Sequence, residues 1–160
     1  MKNNFCFLSE KMPDINKLPA WWSFKRPFFA VDLLILHFAK GKFDGIVLVE
    51  RKFKPKGKAF PGGFVEYGET AEKAALREAK EELGIKVKLI KQLGVYSDPK
   101  RDTRFHSISV VFLAKSTGRL KAGDDAKKAF VCPLDKIPKL QFDHNKILRE
   151  HLSEIGHKLC

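Results

Sequence analysis

Apolar positions along the chain follow two different periods. FFAVDLLILHFA, residues 28–39, is almost continuously apolar and is broken by Asp32 and His37. Residues 28–38 therefore predict a strand buried on both faces. GIVLVERK (45–52) predicts a second strand, paired with the first through the turn AKGKFDG. KVKLIKQLGVYS (86–97) and SISVVFLAK (107–115) predict two more, separated by the polar loop DPKRDTRFH, and KAFVCPL (128–134) predicts a further strand. Helical spacing governs residues 70–83, opened by the cap candidate Thr70 and closed by Gly84, and residues 143–159 near the C-terminus. RKFKPKGKAFPGG (51–63) is a basic loop punctuated by Gly and Pro. Residues 1–25 show no period; Trp21, Trp22 and Phe24, near Pro19 and Pro27, predict an aromatic entry segment. Strands on both sides of a helix, with another helix at the end, predict a mixed α/β (α+β) layer structure around one core.

Length and composition narrow the class. A chain of 160 residues with 44% hydrophobic and 31% charged residues fits one globular domain, taken as residues 1–160. The apolar run at 28–39 falls short of the ~20 residues that span a bilayer, and no secretory leader is evident at the N-terminus. Cys6, Cys132 and Cys160 cannot all pair and are far apart. A disulfide framework is not expected, and a reducing cytoplasm fits best. The formal charge of +12 favours anionic partners, among them nucleotides. No RNP motif, zinc finger or long basic helix points to nucleic acid.

The informative stretch is GFVEYGETAEKAALREAKEELGI, residues 63–85. On a helix, Glu78 and Glu82 share one face with Ala71 and Ala75; Glu81 lies on the flank, and Leu76, Ala79 and Leu83 form the adjoining arc. Two carboxylates at the edge of a packing face repel each other and are costly to bury unpaired. A solvated acidic helix is one reading. A divalent cation shared between carboxylates and substrate phosphates is the other, because it removes both penalties. The preceding Pro61-Gly62-Gly63 allows backbone to pass close to a ligand, and Arg51, Lys52, Lys54, Lys56 and Lys58 lie just upstream.

This stretch resembles the Nudix box: Gly63, Glu69, Arg77-Glu78, Ala79, Glu81-Glu82, Gly84 and Ile85 stand at the defining spacings. The resemblance implies an α/β/α sandwich with a mixed sheet and an enzyme that cleaves the diphosphate of a nucleoside diphosphate linked to another group, using Mg²⁺ or Mn²⁺. It makes Glu78 and Glu82 metal ligands, with Glu81 a further ligand or helper and the Gly62 carbonyl completing the shell. Arg77 would orient the glutamates, while Gly63, Glu69 and Gly84 would shape the loop and helix. The base that takes the water's proton varies in the family, so Glu81 competes with Asp124 and Asp125 on the loop before the last strand.

The chain is also similar to the ADP-ribose pyrophosphatase subgroup in having Pro99 shortly after the box, within YSDPKRDTRFHSISVVF. That likeness implies that Pro99 shapes the pocket, and that Arg101, Arg104 and His106, with Arg51, meet phosphate or ribose; many members of the subgroup are homodimers. ADP-ribose is the leading substrate expectation. A housecleaning enzyme for (d)NTPs, or a nucleotide-binding module without activity, are the alternatives. PLDKIP and the following Phe142-Asp143-His144 also resemble the family.

Overall fold

The computed structural model describes residues 26–117, 120 and 126–159. The elements run β1 (Phe28–Ala39), β2 (Lys42–Arg51), β3 (Lys58–Ala59), β4 (Gly62–Phe64), α1 (Ala71–Leu83), β5 (Lys88–Tyr96), β6 (Ser107–Ser116) and β7 (Ala126–Cys132). A 3-10 turn (Leu134–Lys136) and helices α2 (His144–Glu150) and α3 (Leu152–Leu159) follow. One mixed sheet holds the strands in the order β3-β2-β1-β6-β5, with β4 on β1 and β7 on β2. β1 and β6 pair in parallel from Phe28↔Ser107 to His37↔Ser116, and the other pairs are antiparallel.

The strand period sorts β1 between two cores. Val31, Leu33 and Ile35 face one side, with Ala74, Ala75, Ala79 and Leu83 of α1. Leu34 and Leu36 face the other, with Ile147, Leu148 and Ile155 of α2 and α3. Helix, sheet and helix therefore form three layers, and no described helix is long and apolar enough to cross a membrane.

Four features depart from the sequence expectation. β2 starts at Lys42, because Lys40 (φ 50°) and Gly41 (φ 79°) close a tight two-residue hairpin. The basic loop contains β3 and β4, strands too short to leave a period. The C-terminal helix is two helices that meet at His151, where the Tyr96 hydroxyl donates to Glu150 (2.8 Å) and lies 3.1 Å from His151 Nε2. Leu76 is 43% exposed instead of joining the packed arc, since α1 buries the stripe of Ala74, Ala75, Ala79 and Leu83. The entry segment 1–25, with Trp21, Trp22 and Phe24, lies outside the described residues, as do Asp124 and Asp125.

Candidate active site

Helix α1 brings the acidic residues to the sheet. Its N-cap Thr70 accepts a bond from the Lys73 amide (3.3 Å), and Gly84 ends it in the left-handed conformation at φ 64°, its N–H donating to the Lys80 carbonyl. Alanine at 74, 75 and 79 lets the helix lie close to β1 and β4. Gly62 pairs with Asp32 and Gly63 with Val31. A Cβ on Gly62 (φ 156°) would strike the Val31 carbonyl, and one on Gly63 would enter the Glu78 carboxylate. Gly62 requires glycine for β4 to lie this close to β1, and Gly63 requires it for the Glu78 carboxylate to keep its place.

Arg77 organises the carboxylates. Its Nε and Nη2 donate to the two oxygens of Glu69 (3.2 and 2.9 Å), and Nη2 also donates to the Phe64 carbonyl (2.8 Å). Nη1 donates to Glu78 Oε1 (2.7 Å) and Glu81 Oε2 (3.2 Å). The bonds from Arg77 are the main reason the Glu69 carboxyl lies below its usual range, and the same bonds raise the guanidinium further above its own. Glu69 Oε2 also accepts from the Glu66 amide (3.0 Å), which ties the turn before α1 to the helix. Glu82 Oε2 accepts from the Gly62 amide (2.9 Å), fixing it against β4.

These groups form one wall of a cleft of about 540 Å³. Glu66, Glu78, Glu81 and Glu82 line one part; Arg51, Lys52, Arg101 and Arg104 line another; Phe53, Phe64 and Phe142 are the aromatic lining. Among the described residues no three carboxylate, imidazole or thiol groups converge into a closed metal cage. The donors are nonetheless all oxygen and share one cleft with cationic side chains. That set fits a hard divalent cation that keeps waters and shares its remaining positions with substrate oxygens. Glu78, Glu82 and Gly62 all line this cleft, and the Gly62 amide is bonded to Glu82.

The basic wall is built from distant segments. Arg51 Nε donates to the Pro55 carbonyl (2.9 Å), Arg104 Nη1 to the Lys54 carbonyl (3.2 Å), and Gln141 Nε2 to the Lys56 carbonyl (2.9 Å). The basic loop is thus held by its backbone, while Lys54 and Lys56 remain exposed. Arg104 also donates from Nε and Nη2 to Asp102 (3.0 and 2.8 Å). Burial is the first cause that lowers Arg51 from the usual guanidinium range, and the like charge of Arg104 adds to it.

Arg101 has a different environment from the one expected. Its side chain is 4% exposed. It donates to both oxygens of Asp143 (3.1 and 2.9 Å) and to Asp32 Oδ2 (3.0 Å). It stands in the wall with its charge matched by carboxylates. Pro99 is exposed in the turn Asp98–Arg101, closed by Arg101 N–H to Asp98 O (2.9 Å). His106 is exposed, its Nε2 lying 3.3 Å from the Ser97 carbonyl. Neither Pro99 nor His106 lines the cleft.

Sequence reasoning did not single out Asp32, Asp102 or Phe142 as site residues. Asp32 accepts from Arg101 and from Ser109 Oγ (2.6 Å), and its Oδ1 lies 3.4 Å from His144 Nε2. Burial works to raise this carboxyl, but His144, Arg101 and Ser109 together hold it well below the usual carboxylate range. Its only signal in the sequence is a charge interrupting an apolar strand.

The family model described as NUDIX domain matches residues 27–152, and the chain belongs to the Nudix family of hydrolases. It is 46% identical, over 90% of this chain and 84% of the relative, to a protein of Methanocaldococcus jannaschii named ADP-ribose pyrophosphatase. Among solved structures, a MutT/nudix family protein from Enterococcus faecalis superposes with a TM-score of 0.75 at 29% identity. That match covers 88% of this chain and 65% of the other. A bifunctional NMN adenylyltransferase/ADP ribose pyrophosphatase from Francisella tularensis, complexed with AMP and a Mn ion, gives a TM-score of 0.73 at 30% identity. There the match covers 85% of this chain and 44% of the longer protein. The present chain is therefore a Nudix pyrophosphohydrolase that hydrolyses a nucleoside diphosphate linked to another group, in a family that uses divalent metal.

Proposed function

We propose that this cleft hydrolyses ADP-ribose to AMP and ribose 5-phosphate with Mg²⁺ or Mn²⁺. The observation that carries the reading is the 46% identity, across nearly the whole chain, to a relative named ADP-ribose pyrophosphatase. Glutamates and the arginines Arg51 and Arg104 lining one cleft support it, because together they offer opposite charges to a cation and to the diphosphate it accompanies.

In this proposal Glu78 and Glu82, with the Gly62 carbonyl, hold the cation. When bound, the cation neutralises phosphate charge and lowers the pKa of a water. Arg77 keeps Glu78 and Glu81 in place through the bonds described above. Glu81, 60% exposed at the cleft edge, is the base that takes the proton of the attacking water. Asp125 is the competing base. Water oxygen bonds to one phosphorus, the bridging P–O bond breaks, and the bridging oxygen leaves with the other phosphate. Two phosphate monoesters result. Arg51 and Arg104 receive the diphosphate as charged hydrogen-bond donors. Arg101 is assigned a supporting place in the wall, and Pro99 sets the turn that delivers it; His106 would reach substrate only beyond the described cleft. A homodimer remains part of the proposal and is read by light scattering.

A substrate panel with product identification tests the reading. ADP-ribose should give AMP and ribose 5-phosphate with higher kcat/KM than dGTP, 8-oxo-dGTP or diadenosine polyphosphates. Turnover should stop with EDTA and return with Mg²⁺ or Mn²⁺. Faster release of pyrophosphate from (d)NTPs would replace this substrate with a housecleaning one, and full turnover without metal would overturn the glutamate assignment.

A further inference from the structure

Phe142 adopts φ 56°, in the left-handed region that a bulky side chain rarely occupies. Glycine would meet that backbone without strain, so an aromatic residue there calls for a function of the ring. Both sides of the residue are pinned. The Gln141 amide donates to the Lys58 carbonyl (2.8 Å), and Asp143 receives two bonds from Arg101. His144 Nδ1 accepts the Phe60 amide (2.9 Å), and the imidazole stacks on the Phe60 ring at 4.6 Å. The His144 ring also packs 5.2 Å from that of Phe142. The chain path is over-determined around a single ring that faces the cleft.

That ring carries two cations. The guanidinium carbon of Arg51 stands 5.0 Å from its centroid and that of Arg104 5.7 Å. The two arginines are crowded like charges on one wall, so each needs a local anchor to stay aimed into the cleft. Aromatic faces attract guanidinium groups at these distances. Asp102 and the Phe105 ring, 4.7 Å away, also hold Arg104, and the Pro55 carbonyl anchors Arg51; Phe142 is the ring that both share.

We propose that Phe142 is a positioning residue: its ring, locked by Asp143–Arg101 and His144, holds Arg51 and Arg104 together as one diphosphate-binding wall. The inference rests on the reading that these arginines receive the diphosphate. It gives the Phe142-Asp143-His144 motif a part in substrate binding that packing alone does not supply.

The test uses the full chain with Mg²⁺ and three variants: Phe142→Leu, Phe142→Gly and Phe142→Tyr. Binding of inorganic pyrophosphate is measured by calorimetry, kcat and KM with ADP-ribose, and folding by thermal melts. Leucine keeps apolar bulk without a ring face; glycine keeps the backbone conformation without any ring. Both should weaken pyrophosphate binding and raise KM about 5–10-fold, the loss of two cation–ring contacts, with kcat within about 2-fold of the parent. Tyrosine should restore both quantities. If Phe142→Leu binds pyrophosphate and substrate like the parent, or if kcat falls while KM holds, the proposal is overturned. If the parent itself does not bind pyrophosphate, the arginine-wall reading fails first and the proposal with it.

Discussion

Gly63→Ala isolates the geometry of the acidic wall from the stability of the fold. A methyl group at this position would sit 2.5 Å from Glu78 Cδ and 2.8 Å from its Oε2. Ordinary contact between carbon atoms begins near ~3.5 Å, so the carboxylate must retreat by about 1 Å. Glu78 is also bonded to Arg77 at 2.7 Å, so this retreat disturbs the arginine that holds Glu69 and Glu81. A misplacement of about 1 Å in a positioning element costs on the order of 10²-fold in rate, or ~2.7 kcal/mol of barrier. The backbone at Gly63 lies outside the left-handed region, so alanine is conformationally acceptable and reduces the entropy of the unfolded chain. The expected result is a kcat about 10²-fold lower with a melting temperature unchanged or slightly higher. Initial rates of ADP-ribose hydrolysis, titrated with Mg²⁺, should also show a higher metal requirement. Parent-like kcat and metal dependence in a folded Gly63→Ala protein would refute the claim that Glu78 works from the position it holds here.

Glu78→Gln and Glu82→Gln should each lower kcat by ~10²–10³, with the fold intact by circular dichroism, and a near-normal rate would remove that residue from the metal shell. Asp32→Asn should cost about 3 kcal/mol in urea unfolding, the low end for breaking a buried ion pair, because Asp143 still matches Arg101. The Asp32 carboxyl is held below its unfolded value, so its stabilising contribution is fully present above pH ~4 and is lost as pH falls below that; the parent should therefore weaken more steeply in acid than Asp32→Asn. Glu81→Gln should lower kcat while metal affinity holds and Asp125→Asn should leave kcat in place, and the reverse pattern would move the base to Asp125.

Much of the acidic half of the site is legible in the chain because it is local. Thr70, Arg77, Glu78, Glu81, Glu82 and Gly84 lie within one helix and its caps, and helical spacing alone places the glutamates relative to one another. β1, β2, β5 and β6 are legible for the same reason, as runs long enough to show a period. The basic half joins residues far apart in sequence, and no local pattern announces such meetings. Arg101 looks like a loop cation until Asp32 and Asp143 are seen around it, 69 and 42 residues away. Phe142 looks like an ordinary apolar residue ahead of a helix until two arginines are found over its ring. β3 and β4 escape because two or three residues carry no period, and the break at His151 escapes because no Gly or Pro marks it.

The basic loop is held at Lys54, Pro55 and Lys56 through carbonyl oxygens, a group that every amino acid supplies. The path of the loop and the identity of the side chains at 54 and 56 are therefore separable variables. Descent can rewrite the charge on this exposed loop, residue by residue, without redrawing the loop that carries it. Gly62 and Gly63 have no such latitude, since any side chain there collides with β1 or with Glu78. Within a dozen residues the chain thus sets a stretch open to retuning toward new substrates beside one closed to change, which is how one hydrolytic centre can be kept while its clientele drifts.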